Sequence, residues 1–235
     1  MEGRIHKAKE WEKGSKRYMD TPASTSRRSV MRARLSRQWL VQRFSLSPSF
    51  RYDKRVIQRA KDAIKHLGDP TLRPAAVMIA LTERNGELQV LLTKRASHLK
   101  HHPGQIAFPG GKVEKSDADI VEAAIRETVE EIGVSVQRDE LLGCLPPLPT
   151  VSGYLVTPVV AFVDPEYRPM LDPNEVDSLF EVPLAQFLRR DAITTQPFLV
   201  RGKTYHIYAM SYQQHLIWGV TAQILHALGQ QLSLN

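Results

Sequence analysis

The chain has 235 residues, 42% of them hydrophobic, which suits one domain with a real core plus an extension and excludes global disorder. Its single cysteine, Cys144, excludes an internal disulfide and a zinc site built on several thiolates, in keeping with a reducing compartment, and no apolar run approaches the roughly 20 residues of a bilayer span. The net charge of +7 is unevenly spread: residues 1–66 hold 18 Lys and Arg against 6 Asp and Glu, a local +12, and the remainder is mildly acidic at −5.

Residues 1 to about 35 show no sustained periodicity, and Thr21 to Ser26 is a loop-type cluster. No acidic residue lies between Asp20 and Asp53, while Arg and Ser recur. Such segments resemble organelle transit peptides, the more so if translation begins at Met31, although no hydrophobic secretory signal is present. A basic tail also suits nucleic acid or a membrane surface. A solvated or cleaved extension is the simpler reading, so residues 1–50 are read as a basic, flexible extension. Residues 51–235 are then the domain, with its core over about 72–231.

Tyr52 to Leu67 reads as a leading helix, with Val56, Ile57, Ala60, Ile64 and Leu67 near helical spacing, stopped by Gly68-Asp69-Pro70. Arg73 to Leu81 is a buried strand, Asn85-Gly86 a hairpin turn, and Leu88 to Thr93 the partner strand. A loop containing Gly and Pro runs to Gly111, and a helix follows from about Asp119 to Ile132. The Pro-rich Leu145 to Pro149 leads into a strand from Tyr154 to Val163. Val182-Pro183-Leu184 opens a short helical turn, Thr204 to Met210 alternates like a strand, and His215 to Leu228 reads as a closing helix. No repeat is visible. Strands mixed with a few helices indicate an α+β or α/β sandwich in one domain.

The helix over 119–132 carries the chemistry. Ser116, with Asp119 three residues on, is a capping-box-like start, and Gly133 supplies the stop. At about 100° per residue, Val121, Ile125, Val129 and Ile132 fall on one arc, the expected core face. Glu127, Glu130 and Glu131 cluster opposite, because their spacings are three and four. Crowded carboxylates repel, and a hard divalent cation such as Mg2+ or Mn2+ removes that repulsion. A diphosphate needs the same cations to neutralise its charge and polarise the attacked phosphorus. The bland alternative is a solvated acidic helix face. The preceding Gly110-Gly111, where backbone approaches a ligand or metal closely, favours the site.

The stretch from Gly111 to Val134 resembles the Nudix box, G-x5-E-x7-R-E-U-x-E-E-x-G-U, where U is bulky and aliphatic. Arg126 to Val134 follows the pattern, with Thr128 at the first U. Asp117 stands where the pattern has Glu, and eight residues rather than seven separate it from Arg126, so no role is assigned to it. The resemblance implies a Nudix-type α/β/α sandwich with a mixed sheet and a loop–helix–loop catalytic motif. It further implies Glu127, Glu130 and Glu131 as ligands of Mg2+ or Mn2+, with Arg126 orienting a carboxylate or the loop by salt bridging. Water attacks one phosphorus, with Glu130 or Glu175 as the candidate base.

The segment before the box, Leu91 to Gly111, resembles the signature of the coenzyme A pyrophosphatases, L-L-[TS]-x-R-[SA]-x3-R-x3-G-x3-F-P-G-G. Lys100 replaces Arg there and loses its bidentate fork. The implied substrate is CoA or an acyl-CoA, contacted by Arg95, Lys100, His101, His102 and Gln105 beside Gly110 and Gly111, while Phe108 packs below the turn. Leu148 to Val160, Asn174 to Leu184 and Trp218 to Ala222 continue the resemblance. Hydrolysis of another diphosphate, such as NADH, ADP-ribose or capped RNA, is the alternative. A non-catalytic Nudix-fold binding module is a second, against which all three glutamates stand. The partner is thus a small molecule rather than a membrane or nucleic acid. The expected location is cytoplasmic, or mitochondrial if the basic segment is a transit peptide. Ser233-Leu234-Asn235 does not match the S-K-L address.

Overall fold

A computed structural model describes residues 35–46, 51–65, 71–189, 191–200 and 203–232. The possible start at Met31, the loop at Thr21 to Ser26, the helix stop at Gly68 to Pro70 and the C-terminal tripeptide lie outside the described residues. None of the described helices is long and apolar enough to cross a membrane.

The elements in chain order are α1 (Arg37–Leu46), α2 (Lys54–Lys65), β1 (Arg73–Arg84), β2 (Glu87–Arg95), β3 (Ile106–Ala107), β4 (Gly110–Lys112) and α3 (Ile120–Ile132). There follow β5 (Leu141–Cys144), β6 (Leu148–Pro149), β7 (Tyr154–Phe162), β8 (Val176–Pro183), α4 (Leu184–Phe187), β9 (Thr194–Val200), β10 (Lys203–Tyr212), β11 (His215–Trp218) and α5 (Val220–Leu232).

The main sheet runs β3-β2-β1-β7-β5, with β4 also on β1, β6 on β7 and β8 on β2. It is mixed: β1 lies parallel to β7 from Arg73↔Tyr154 to Leu81↔Phe162 and antiparallel to β2 and β4. Side chains alternate across a strand with period two, and the sheet uses both faces. Ile79, Leu81, Val90, Leu92, Val160 and Phe162 pack on one side with Leu225 and Leu228 of α5 and Leu40 of α1. Ala76, Met78, Ala80, Leu91, Val159 and Ala161 pack on the other with Ala123, Ala124 and Ile132 of α3. Helices on both faces of a mixed sheet make the α/β sandwich expected from the sequence.

The sequence reading names none of the strands β3, β4, β5, β6 and β9, and three further elements depart from it. The first is α1, which begins ahead of the boundary at residue 51. Ser36 accepts from the Trp39 N–H at 3.2 Å, Leu40 is fully buried, and Arg37 pairs with Glu140 while lying over the Phe162 ring. The stretch 37–46 therefore packs with the domain, although the spacing of its apolar residues shows no helical period. The second is β8, whose Gln89↔Pro183 to Arg95↔Val176 pairing extends the sheet beyond β2. The third is the closing helix. His215 to Trp218 is a strand pairing β10 through Tyr212↔His215 and Ala209↔Trp218. Gln213, at φ 50°, turns the chain back, and Gly219, at φ 68°, takes the left-handed conformation that ends the strand and lets α5 start at Val220.

Candidate active site

The site is built where α3 lies against β1 and β4. The sequence places Val121, Ile125, Val129 and Ile132 inward and the glutamates outward; Ile132 is buried, Val121 and Ile125 pack half-buried against the core and Glu130 is exposed, but the structure corrects the reading at Val129 and Glu131. Ala123, Ala124, Thr128, Glu131 and Ile132 are buried, and Val129 is exposed. At about 100° per residue, Glu131 falls in the middle of the buried arc. The two alanines present little bulk to Ala76, Met78 and Ala80 of β1, and the Thr128 hydroxyl is satisfied by donating to the Ala124 carbonyl at 2.6 Å. The glutamates are consequently graded: their side chains are 4% exposed at Glu131, 15% at Glu127 and 57% at Glu130. The start of the helix is also corrected. Asp119, not Ser116, is the N-cap, accepting from the Glu122 N–H at 2.8 Å. Gly133 closes the helix with its N–H on the Val129 carbonyl.

Arg126 braces the loop to the helix. Its Nε donates to one Asp117 oxygen at 2.9 Å, and Nη2 donates to the other at 3.1 Å and to the Lys112 carbonyl at 3.0 Å. Nη1 donates to Glu127 at 3.0 Å and Glu130 at 2.8 Å. Asp117, to which the spacing assigned nothing, is thus the loop's anchor. It also accepts from the Glu114 N–H at 2.7 Å, and the guanidinium holds its carboxyl below the usual carboxylate range. The contact is made by loop geometry rather than helical register, so counting residues to Arg126 does not reveal it.

The double glycine brings β4 against both β1 and the carboxylates. Gly110 pairs with Val77 and Gly111 with Ala76. A Cβ on Gly110 would stand 2.3 Å from the Ala76 carbonyl oxygen, and one on Gly111 would stand 2.3 Å from Glu127 Oε1. The Gly110 N–H donates to Glu131 Oε2 at 3.3 Å. Glu131 is pushed up to about 8, first by burial and then by the charges of Glu175 and Glu127; Arg95, with Nη1 4.0 Å from Oε1, and the Gly110 N–H oppose the shift. Burial likewise raises Glu127, against the pull of Arg126.

The expected site residues separate into two groups. Glu175 precedes β8 and is positioned by its backbone, its carbonyl accepting from the Ala96 N–H at 2.9 Å. Its charge acts on both Glu127 and Glu131. Arg95 sits where the β2–β8 register shifts, an irregularity of the kind that re-aims a side chain. Arg95, His102, Gln105 and Gly110 border a cavity of about 740 Å³, with His102 Nδ1 3.0 Å from Gln105 Oε1. Lys100 and His101 are exposed on the loop and do not line that cavity.

Among the described residues, no group of three His, Cys, Asp or Glu side chains is arranged as a finished metal cage. The donor chemistry nevertheless fits a hard divalent ion. Glu127 and Glu131 supply only oxygen, they are buried against each other's charge, and Arg95 is too distant to pair closely with Glu131. Arg126→Gln is expected to destabilise the protein by about 2–4 kcal/mol, because it strands carboxylates that share one cation. Chemical denaturation checks this, and Arg126→Lys is expected to recover only part of the loss because a lysine lacks the fork.

Comparison with known proteins agrees with this geometry. The NUDIX domain model matches residues 71–201. The chain is 40% identical over 163 residues to the uncharacterized Nudix hydrolase NudL of Enterobacter sp. (strain 638), covering 69% of this chain and 84% of the relative. It is equally 40% identical over 163 residues to NudL of Salmonella paratyphi B, with the same coverage. Among solved structures, a MutT/nudix family protein from Enterococcus faecalis superposes with a TM-score of 0.47 at 19% identity, over 89% of this chain and 75% of that one.

Proposed function

The chain belongs to the Nudix family of diphosphate-bond hydrolases, and from that premise we propose that its substrate is coenzyme A or an acyl-CoA, cleaved to 3′,5′-ADP and (acyl) 4′-phosphopantetheine. The observation that carries the reading is the segment Leu91 to Gly111. It resembles the CoA-pyrophosphatase pattern at every fixed position but Lys100, and its Arg95, Gln105 and Gly110 border a cavity of about 740 Å³. That volume lies within the range of pockets that enclose a large ligand.

Glu127 and Glu131, with Glu130 at the rim, would hold Mg2+ or Mn2+, which supplies charge neutralisation and polarises the attacked phosphorus. The chain's own groups do the rest. Arg126 fixes the loop and two of the glutamates. Glu175 is the base: it is exposed, its charge acts on both Glu127 and Glu131, and it is not tied up by Arg126 as Glu130 is. Water gives its proton to Glu175 as its oxygen bonds to one phosphorus. The anhydride P–O bond breaks, and two phosphate monoesters leave.

The test is hydrolysis of CoA, NADH and ADP-ribose with Mg2+ or Mn2+, products separated by chromatography. CoA is expected to have a kcat/KM at least about tenfold above the others, a difference of roughly 1.4 kcal/mol in transition-state binding. Faster turnover of NADH or ADP-ribose would retain the diphosphate chemistry and overturn the CoA assignment.

A further inference from the structure

The cavity has a second wall that neither the box nor the segment before it supplies. Helix α2 and strand β10 form it, and both lie outside the residues matched by the family model. They bring Arg55, Arg59 and Tyr205 to the space bordered by Arg95 and Gly110.

Arg59 is the distinctive member of this wall. Its guanidinium carbon lies 4.6 Å from the centroid of the Tyr205 ring. Burial lowers its pKa from the ordinary guanidinium value, with Tyr205 the only group opposing. Among the described residues no carboxylate pairs with it. A planar cation partly withdrawn from water is well served by a carboxylate or phosphate partner, often through two parallel hydrogen bonds. Arg55 contrasts with it, being held by Asp53 at 3.0 Å. Asp53 is also the sole acidic residue among the described residues lining the cavity, so its charge is already answered. What remains is a positive wall whose guanidinium fork is backed by an aromatic ring. That geometry suits a phosphate monoester, which offers several acceptor oxygens and more than one negative charge.

We propose that Arg59, lying over Tyr205, binds a phosphate monoester that the substrate carries away from its diphosphate linkage, and thereby selects among diphosphates. The inference rests on the CoA reading only in naming that group as the ribose phosphate of CoA. The leading helix is then part of the specificity machinery rather than a prop for the domain.

The test uses two ligand pairs that differ by one phosphate monoester. Binding of 3′,5′-ADP and 5′-AMP to the full chain is measured by calorimetry, and hydrolysis of CoA and dephospho-CoA is followed in parallel. The wild type is expected to bind 3′,5′-ADP at least about tenfold more tightly than AMP, as one charge-assisted fork allows. Arg59→Gln removes that preference, leaves AMP binding unchanged, and raises KM for CoA but not for dephospho-CoA, with kcat little altered. Arg59→Lys falls between the two. A folding defect weakens both ligands alike, so the ratio is its own control. Equal binding of the two ligands by the wild type, or an Arg59→Gln protein that melts like the wild type and keeps the preference for 3′,5′-ADP, overturns the proposal. A wild type that prefers 3′,5′-ADP yet does not cleave CoA keeps the Arg59 site and removes the CoA reading.

Discussion

Replacing Glu131 by Gln is expected to lower turnover by at least about a hundredfold while making the metal-free protein more stable above pH 8. The two effects have one cause. Glu131 is an acid in the middle of the buried face of α3, only 4% of its side chain exposed, and its carboxyl is pushed up to about 8 from an ordinary value of 4.5. Between those values the folded protein holds a proton that the unfolded chain has released. The contribution of Glu131 to stability is therefore most favourable below pH 4.5, falls as pH rises through the window, and levels off above about 8. A glutamine is neutral throughout, so the variant should match the wild type at pH 4 and exceed it by about 2 kcal/mol at pH 8, after discounting for relaxation and solvent access. Thermal denaturation across pH with a chelator present measures the difference. Adding Mg2+ at pH 8 should raise the wild-type melting temperature, because a cation answers the buried charge, and should do much less for Glu131→Gln. A variant that keeps both full turnover and the wild-type pH slope would remove Glu131 from the site.

This opposition between activity and stability explains what could be read from the sequence and what could not. The spacing of Arg126, Glu127, Glu130 and Glu131 and the adjoining Gly110-Gly111 were legible because chemistry constrains residue type and interval there. The orientation of the helix was not. Counting apolar residues favours Val129 as core and Glu131 as surface, but two alanines and a threonine fill the buried arc, and small residues contribute little to an apolar pattern. Strands β1, β2 and β7 were legible because burial on both faces leaves long apolar runs. In contrast, β8 includes the polar Asp177, Ser178 and Glu181, and β9 carries Pro197 at the edge of a separate three-stranded sheet, β11-β10-β9, where a missing N–H is tolerated. Asp117, Arg59 and Tyr205 share a different obscurity. Each gains its role from a residue distant in sequence or held across a loop, and no local interval signals such contacts.

The two neighbouring glycines should fail in opposite ways when each is replaced by alanine. At Gly110 the new methyl would meet the Ala76 carbonyl oxygen at 2.3 Å and Val77 Cα at 2.6 Å, and the backbone there is at φ 152°. Those obstacles belong to the central strand β1, so the strain can be relieved only by breaking the β1–β4 pairing. A loss of about 2–4 kcal/mol is expected, with a lower melting temperature. At Gly111 the three atoms nearest the new methyl all belong to the Glu127 carboxylate, with Oε1 at 2.3 Å and Oε2 at 2.6 Å. A side chain can swing away, so stability should change by less than about 1 kcal/mol. The displaced carboxylate is one of the pair proposed to hold the metal ion that would answer the substrate's charge, and misplacing such a group by about 1 Å can cost on the order of a hundredfold in rate. Gly111→Ala is therefore expected to fold normally and turn over poorly, and Gly110→Ala to be limited first by its stability. Melting temperature and kcat measured on both variants separate the cases. A Gly111→Ala enzyme with wild-type kcat would show that Glu127 does not need its present position, and the assignment of that carboxylate to the reaction would have to be withdrawn.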